Sequence, residues 1–252
     1  MVGIYDLNID TVLDYKSRLD IYKKCGFTDI GIYLDERYQR EDEKDYSKII
    51  AYAKSIGLKI SQVHLGYKIS NEICNDESSA YFDYIASKME EALKYNIPIV
   101  VAHASKGDTP PKLTDTGKKR FKEMMKKFEG KNIVLAIENV RNNDNLDSLL
   151  SLGLPNVKVC FDLGHAHAYG NEHELFERYH DKIVCSHLHN NCGSDTHHPL
   201  DKGEIDYKYF LTKLNSMPNV INTLECFPKA DHKLDSKELE DFIKHCFDIA
   251  NH

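Results

Sequence analysis

The 252-residue sequence contains no tryptophan and no apolar run close to the roughly 20 residues that a membrane-spanning helix needs. Its first ten residues, MVGIYDLNID, lack the basic segment and the long apolar core of a signal peptide. We therefore expect a protein with no membrane partner and no secretory leader.

The cysteines also lack the patterns that would give them a structural role. They number seven, an odd count, and contain no C-x-x-C spacing, which argues against a disulfide framework and a cysteine-based zinc site. A reduced, cytoplasmic location is the simplest interpretation. Basic residues are outnumbered, 33 against 40 acidic, for a formal net charge of -7. This balance disfavours non-specific nucleic-acid binding by the whole surface, although it leaves room for a local basic groove.

Short apolar runs alternate with longer amphipathic stretches along the whole chain. In one such stretch Tyr81, Ile85, Met89 and Leu93 recur every four residues, as on one face of a helix. The alternation gives eight strand–helix units in about the length of a closed (β/α)₈ barrel. A doubly wound open sheet is the alternative, but it usually has fewer strands. We predict an α/β protein, a single (β/α)₈ TIM barrel, with residues 1–252 forming one domain.

Six consecutive predicted strands end in a histidine or a carboxylate. In a closed barrel the carboxyl ends of the strands converge on one cavity, so these side chains should meet there. A single polar residue at a strand end is more often a cap or a loop residue, but six in succession indicate a ring of metal ligands. The six are His64, His103, Glu138, Asp162, His187 and Glu225.

Further donors lie close to these strand ends. His165 follows Asp162 by three residues, and Asp195 and His197 lie in the next polar segment. His189 alternates with His187, so both should face the same side of the seventh strand. Imidazole and carboxylate donors without thiolate suit zinc, manganese or cobalt in a catalytic site. We predict one to three divalent ions per chain.

Several sequence blocks resemble the xylose isomerase-like TIM-barrel superfamily. They are Ala136–Asn139 (AIEN), Phe161–Ala166 (FDLGHA), Ser186–His189 (SHLH), Thr223–Glu225 (TLE) and Asp195–Asp206 (DTHHPLDKGEID). That superfamily contains sugar and sugar-phosphate isomerases and epimerases, and also the endonuclease IV family of abasic-site nucleases. The resemblance covers essentially the whole chain.

The isomerase branch implies one metal held by Glu138, Asp162, His187 and Glu225. By the same resemblance, Glu138 and Glu225 are the catalytic acid/base pair, and His165 contacts a substrate oxygen. The proton transfer would be of the enediolate type, with the metal polarising the oxygens. The arginine that often follows the seventh-strand histidine in epimerases is not found here.

The nuclease branch implies three zinc ions, and this sequence matches all nine ligand positions of that branch. Tyr67 fits the place of a tyrosine that the nuclease inserts into DNA, but Lys68 stands where an apolar wedge is expected. The nine matching residues are His64, His103, Glu138, Asp162, His165, His187, Asp195, His197 and Glu225.

We therefore predict a divalent-metal-dependent isomerase or epimerase of a small sugar, sugar phosphate or related polyol. His165, His189 and Tyr67 are the predicted substrate contacts. The alternative is an endonuclease IV-type phosphodiesterase acting on abasic DNA, and DNA is a partner only in that case. The substrate, the metal and the oligomeric state stay open.

Overall fold

A computed structural model describes residues 2–34, 40, 43, 45–78 and 80–251. Its described residues form eight parallel strands in sequence order, and β1 pairs with β8 to close a barrel. The strands are β1 Gly3–Tyr5, β2 Asp29–Leu34, β3 Lys59–Leu65, β4 Ile99–His103, β5 Val134–Glu138, β6 Val157–Asp162, β7 Ile183–Leu188 and β8 Ile221–Leu224. The predicted (β/α)₈ TIM barrel is confirmed.

Nine α-helices are present in the described part of the chain, and they surround the barrel. They are α1 Tyr15–Lys24, α2 Tyr46–Ser55, α3 Ala80–Lys94, α4 Asp115–Lys126, α5 Asp144–Leu150, α6 Leu163–Tyr169, α7 Glu172–Tyr179, α8 Tyr207–Ser216 and α9 Ser236–Asn251. Short 3₁₀ helices cover Ser70–Cys74 and His180–Lys182. None of these helices is long and apolar enough to cross a membrane.

Local sequence signals explain where the helices begin and end. The Asp14 side chain accepts a hydrogen bond from the Ser17 amide and so caps α1, and Thr114 caps α4 through the Gly117 amide. Helix α1 ends before Gly26, whose φ of 108° is a conformation that side chains other than glycine rarely adopt.

The barrel interior explains why the strand-end residues point into one cavity. A separate buried cluster inside the barrel consists of Ile99, Val101, Ala136, Cys160 and Cys185. Val101, Ala136, Cys160 and Cys185 each lie two residues before a predicted ligand at the strand end. Since side chains two residues apart on a strand face the same way, the ligands form the layer directly above this cluster.

The strand register determines how far along the barrel axis each predicted ligand lies. His103 pairs with Glu138, and Asp162 pairs with His187. Between those pairs the sheet is staggered, because Glu138 lies level with Cys160. The ligand layer is therefore inclined, as the shear of a closed barrel requires.

Helix α6 is a short helix that the apolar pattern of the sequence does not predict. The helix begins directly after β6, and Asp162 caps it by accepting a hydrogen bond from the His165 amide at 2.6 Å. Its seven residues contain Gly164 and are too few to show a periodic apolar face.

A buried ion cluster lies where β1 meets α1, and we call it the Arg18 cluster: Arg18, Asp6, Glu43 and Tyr22. The guanidinium donates two hydrogen bonds to Asp6 and two to Glu43, all between 2.8 and 2.9 Å. A fifth bond goes to the Leu13 carbonyl oxygen, and the Tyr22 hydroxyl donates to Asp6. Every N–H group of Arg18 thus has an acceptor.

Candidate metal centre and its cavity

Four predicted ligands meet at one point above the barrel interior. Glu138, Asp162, His187 and Glu225 each offer a donor atom, and the four atoms lie within 4.8 Å of one another. His187 Nδ1 is 3.2 Å from Glu225 Oε2, 3.5 Å from Glu138 Oε2 and 3.8 Å from Asp162 Oδ2. All four residues are buried. We call this group the primary cluster.

The primary cluster contains polar atoms whose hydrogen-bonding capacity is unused. Among the described residues, one buried atom of each member makes no hydrogen bond of good geometry: Glu138 Oε1, Asp162 Oδ2, His187 Nδ1 and Glu225 Oε2. Two of these atoms have imidazole contacts, since Glu138 Oε1 lies 3.0 Å from His165 Nδ1 and Glu225 Oε2 lies 3.2 Å from His187 Nδ1. Buried polar atoms without partners are costly and rare in folded proteins. A divalent cation among three carboxylates and an imidazole would satisfy them, with bonds of about 2.0–2.2 Å. The residues present therefore fit a metal ion.

The electrostatics of the primary cluster also call for a positive charge at its centre. Burial disfavours a charged imidazole, but the carboxylates of Glu225 and Glu138 outweigh it and raise the pKa of His187 well above 6.5. Burial likewise favours protonated carboxyl groups, yet His103 and His187 hold the pKa of Glu138 well below 4.5. His187 also lowers the pKa of Glu225. A bound cation would take the place of these imidazole protons.

Neighbouring strands hold the primary cluster in place. The Tyr5 hydroxyl is hydrogen-bonded to His187 Nε2 at 3.0 Å, which turns Nδ1 toward the carboxylates. The Tyr33 hydroxyl donates to Glu225 Oε1 at 2.7 Å. The Asn139 side chain accepts from the Asp162 amide and donates to its carbonyl oxygen, both at 2.8 Å. Such supporting contacts fix the orientation of metal ligands.

A second group shares Glu138 with the primary cluster. His64 Nε2 lies 2.8 Å and His103 Nε2 3.2 Å from Glu138 Oε2. His64 Nδ1 donates to the Leu65 carbonyl oxygen, so Nε2 of the neutral ring carries a lone pair that faces a carboxylate. The His64 Nε2 lone pair and the Glu138 carboxylate oxygen repel each other unless a second proton or a cation lies between them.

A third group lies on the other side of the cavity, where Asp195 is placed between two imidazoles. Its oxygens are 3.4 Å from His165 Nε2 and 3.2 Å from His197 Nε2. The other nitrogen of each ring donates to a backbone carbonyl, that of Asn139 for His165 and that of Glu225 for His197. A backbone carbonyl on one nitrogen and a free second nitrogen is the usual arrangement of a metal-binding histidine.

His189 lies beneath this third group and does not line the cavity. Its ring stacks on that of His197 with centroids 3.9 Å apart and planes 16° apart. Imidazole lone pairs lie in the ring plane, so two nearly parallel rings cannot direct them at one ion, although the donor atoms are close. His189 Nε2 instead lies 3.1 Å from Asp162 Oδ1. Gly164 makes room for this ring, because a Cβ there would lie 1.9 Å from His189 Cε1.

The three groups open into one cavity of about 250 Å³. Two of the predicted substrate contacts, His165 and Tyr67, line it, and the Tyr67 ring stacks on His103 at 4.6 Å. Asp162, His187 and His189 lie below the surface of the cavity. The remaining lining residues are Tyr33, His64, His103, Ser105, Lys106, Gly107, Glu138, Val140, Arg141, Tyr169, Asp195, His197, Glu225 and Phe227.

Sequence reasoning missed Lys106 and Arg141 as cavity residues. Each lies three residues beyond a predicted ligand, Lys106 after His103 and Arg141 after Glu138. This shared spacing of three residues from a predicted ligand was the sequence signal that could have identified both residues. The aromatic lining residues Tyr33, Tyr169 and Phe227 gave no comparable pattern.

Comparison with known proteins agrees with the motifs quoted above. A sequence profile described as xylose isomerase-like TIM barrel matches residues 19–246. The chain belongs to the xylose isomerase-like TIM barrel family. The resemblance predicted from the strand-end motifs is thereby confirmed. No curated protein sequence matches the chain.

Solved structures of this fold include sugar-modifying enzymes and a nuclease-family protein. A D-tagatose 3-epimerase-like protein is 20% identical with a TM-score of 0.70, over 99% of this chain and 98% of that one. The 3-keto-D-glucoside 4-epimerase YcjR from E. coli is 15% identical with a TM-score of 0.73, over 97% and 98%. AP endonuclease, family 2 from Brucella melitensis is 16% identical with a TM-score of 0.71, over 96% and 97%. At these identities the likeness concerns the fold.

Proposed function

We propose that this protein is a divalent-metal-dependent isomerase or epimerase of a small sugar, sugar phosphate or related polyol. The observation that carries the proposal is the primary cluster, four ligands with one unsatisfied donor atom each, below a small cavity. Structurally similar proteins described as sugar epimerases support the same chemistry.

The size of the cavity favours a small substrate. Its volume of about 250 Å³ lies near the lower end of the range for small-molecule sites, roughly 300–1,000 Å³. The lining combines aromatic faces such as Tyr33 and Phe227 with many polar groups. A monosaccharide, with apolar C–H faces and a rim of hydroxyl groups, matches that combination.

In the proposed reaction Glu138 and Glu225 move one proton. When bound, a divalent ion would polarise the carbonyl and hydroxyl oxygens of the substrate. One carboxylate takes the proton from the carbon next to the carbonyl, and the other delivers a proton to the opposite face or to the neighbouring carbon. No electrons leave or enter, so no further co-substrate is needed. His165 and Tyr67 line the cavity where they can contact substrate oxygens.

One oxygen of each proposed acid/base carboxylate is held in place by neighbouring side chains. Tyr33 donates to Glu225 Oε1, and His64 and His103 contact Glu138 Oε2. Glu138 and Glu225 come from β5 and β8, so they approach the cavity from different sides. We propose that His189 supports Asp162 and His197 from below, in place of the direct substrate contact expected from the sequence.

A zinc-dependent phosphodiesterase of the endonuclease IV type is the second candidate, and one observation favours it. The nine residues that match the nuclease ligands fall into three donor groups, with Glu138 shared between two of them. His64, His165 and His197 each donate to a backbone carbonyl and turn the other nitrogen toward a carboxylate. This arrangement suits three ions around a phosphate group.

A metal count and two parallel assays separate the candidates. Metals are quantified on the purified protein, which is then offered ketoses and ketose phosphates in deuterium oxide and, separately, a duplex with one abasic site. Carbon-bound deuterium without strand cleavage supports the isomerase. Cleavage that needs metal and weakens with salt, without deuterium exchange, supports the nuclease. The Glu174→Gln variant, altered on exposed α7, should behave as wild type in both assays.

We also infer a reducing, cytoplasmic location. All seven cysteines are free in the structure, and five of them are buried. Fractionation of the producing cells, with thiol counting on the recovered protein, tests this inference. Oxidised cysteines in the native protein would contradict it.

A further inference from the structure

Two cations lie on adjacent loops at the mouth of the cavity. Lys106 follows β4 and Arg141 follows β5, each three residues beyond His103 and Glu138. Those two strand-end residues are register partners, so the two cations occupy the same sector of the rim. They are the only lysine or arginine among the described residues that line the cavity.

The backbone of Lys106 is held in place from the side. The Asn71 side chain, from the 3₁₀ helix Ser70–Cys74, accepts from the Lys106 amide at 2.8 Å and donates to its carbonyl oxygen at 3.2 Å. The ammonium group donates to the carbonyl oxygen of Lys68. A carbonyl is a neutral acceptor, so this contact positions the side chain without cancelling its charge.

Arg141 is oriented by stacking on an aromatic ring. Its guanidinium lies 4.5 Å from the centroid of Tyr169, and the Tyr169 hydroxyl donates to Asp195 Oδ2 at 3.1 Å. Arg141 also forms an ion pair with Asp108. Both partners are open to solvent, with side-chain exposures of 49% for Arg141 and 71% for Asp108, so water screens the pair and makes it easy to exchange.

We propose that Lys106 and Arg141 form a subsite for a terminal oxyanion of the substrate, a phosphate or a carboxylate. A planar guanidinium matches the two oxygens of such a group, and the ammonium adds a point charge. In the free protein Asp108 takes the place of that oxyanion beside Arg141. The proposal rests on the proposed function only in assuming that a small sugar-like molecule enters this cavity.

The subsite would also orient the substrate. The anionic end lies against the β4–β5 sector, while Tyr33, on β2, and Phe227, beyond β8, face the rest of the molecule. Glu138 and Glu225 then reach carbons away from the charged end. This subsite supplies a cation that the sequence lacks after the seventh-strand histidine.

Binding of paired sugars tests the subsite. Calorimetry on the native, metal-containing protein compares D-fructose 6-phosphate, D-fructose 1-phosphate and D-glucuronate with D-fructose and D-glucose. We expect at least one anionic sugar to bind roughly tenfold or more tightly than its neutral counterpart. Lys106→Met and Arg141→Met should each remove most of that difference, and Lys119→Met, at an exposed position of α4 away from the cavity, should leave it intact. The phosphate and carboxylate probes tell the two oxyanions apart.

A variant that should strengthen binding of the anionic sugar controls for general damage to the protein. Asp108→Asn frees Arg141 and should tighten binding of the anionic sugar by about two- to threefold. The subsite is overturned if no anionic sugar binds tenfold better than its neutral counterpart, or if both methionine variants keep the full difference. If the protein binds the anionic sugar more tightly than the neutral one but shows no deuterium exchange, the proposed isomerase is rejected and the subsite is retained. Exchange at equal kcat/KM for neutral and charged ketoses rejects the subsite alone.

Discussion

The barrel contains two buried clusters of charged side chains that differ in one respect. In the Arg18 cluster, five hydrogen bonds leave Arg18, one for each N–H, and end on Asp6, Glu43 and the Leu13 carbonyl oxygen. In the primary cluster, one buried atom on each of four residues makes no hydrogen bond of good geometry among the described residues. One cluster is complete in the protein alone, and the other is complete only with a cation.

This difference separates a structural role from a functional one. A buried charge with all its partners present fixes the packing of the elements that supply it. In the primary cluster the only positive charge near the three carboxylates is an exchangeable imidazole proton, which a metal ion can replace. The clusters should therefore respond in opposite ways when a charge is removed, and four experiments can test that contrast.

The largest expected effect is on activity, from removal of one charge in the primary cluster. Glu138→Gln removes a metal ligand and a proposed acid/base group, so turnover should fall by at least about 10⁴-fold, roughly 5.5 kcal/mol. The free energy of unfolding of the metal-free variant should fall by less than that of Arg18→Met, because the lost contacts with His103 and His187 are partly offset by removal of a buried charge. Turnover and urea denaturation are the measurements. Retention of a tenth of the activity would contradict the assigned role of Glu138.

The next effect is on stability, from removal of the cation in the Arg18 cluster. Arg18→Met leaves Asp6 and Glu43 buried without their partner and should lower the free energy of unfolding by about 3–5 kcal/mol. Urea denaturation of the metal-free protein measures it. Arg178→Met, at an exposed ion pair on α7, should cost less than about 1 kcal/mol. A loss below 1 kcal/mol at Arg18 would erase the distinction between the clusters.

Metal addition should stabilise the protein only through the primary cluster. At a free metal concentration 100 times Kd, the gain in unfolding free energy is about 2.7 kcal/mol. Thermal or urea unfolding with added zinc or manganese, and after chelation, measures the gain. Arg18→Met should retain it in full, whereas Glu138→Gln should lose most of it. An equal gain in both variants would place the metal elsewhere.

The smallest effect is the proton release that accompanies metal binding. Burial lowers the pKa of His187 and His165, but neighbouring carboxylates, Glu225 beside His187 and Asp162 beside His165, outweigh it and raise both pKa values well above 6.5. The Asp195 carboxylate overcomes the effect of burial and raises the pKa of His197 to about 9. A metal must displace these protons, so apparent affinity should rise by about tenfold, or 1.4 kcal/mol, per proton and pH unit.

Calorimetry in buffers of different ionisation enthalpy counts those protons. The number of protons released should not fall as the pH is lowered from neutral, and the share from His197 should decline as the pH rises through about 9. Arg18 should contribute nothing at any of these pH values, because Asp6 and Glu43 outweigh the effect of burial and raise its pKa above the ordinary value. Zinc binding at pH 7 without proton release would show that the imidazoles are not the ligands.

The primary cluster was the part of the site that sequence could predict. Glu138 and Asp162 end β5 and β6, as predicted, and His187 and Glu225 fall within one residue of their strand ends. These positions were predictable because each residue is placed by its own short apolar run and by the two-residue period of a strand. That the four residues bind a metal stays a prediction. The three-dimensional meeting point then follows from barrel closure alone.

The Arg18 cluster could not be predicted in the same way. Arg18 lies on α1, Asp6 follows β1 and Glu43 precedes α2, so no local period relates them. On the sequence, Arg18 is an ordinary helical arginine of the kind that usually faces water. The ring contacts of His189 with His197 and of Arg141 with Tyr169 also escaped prediction, because they do not depend on strand position.

Tyr5 lies on the first strand of the barrel, and Glu225 follows the last. Tyr5 is hydrogen-bonded to His187, Tyr33 to Glu225, and β1 pairs with β8. During synthesis, the ribosome releases the fourth ligand of the primary cluster only after more than 220 residues have emerged. A nascent chain, or one cut before Ile221, therefore lacks the complete cluster, and the proposed four-ligand metal site would exist only in a barrel that has closed.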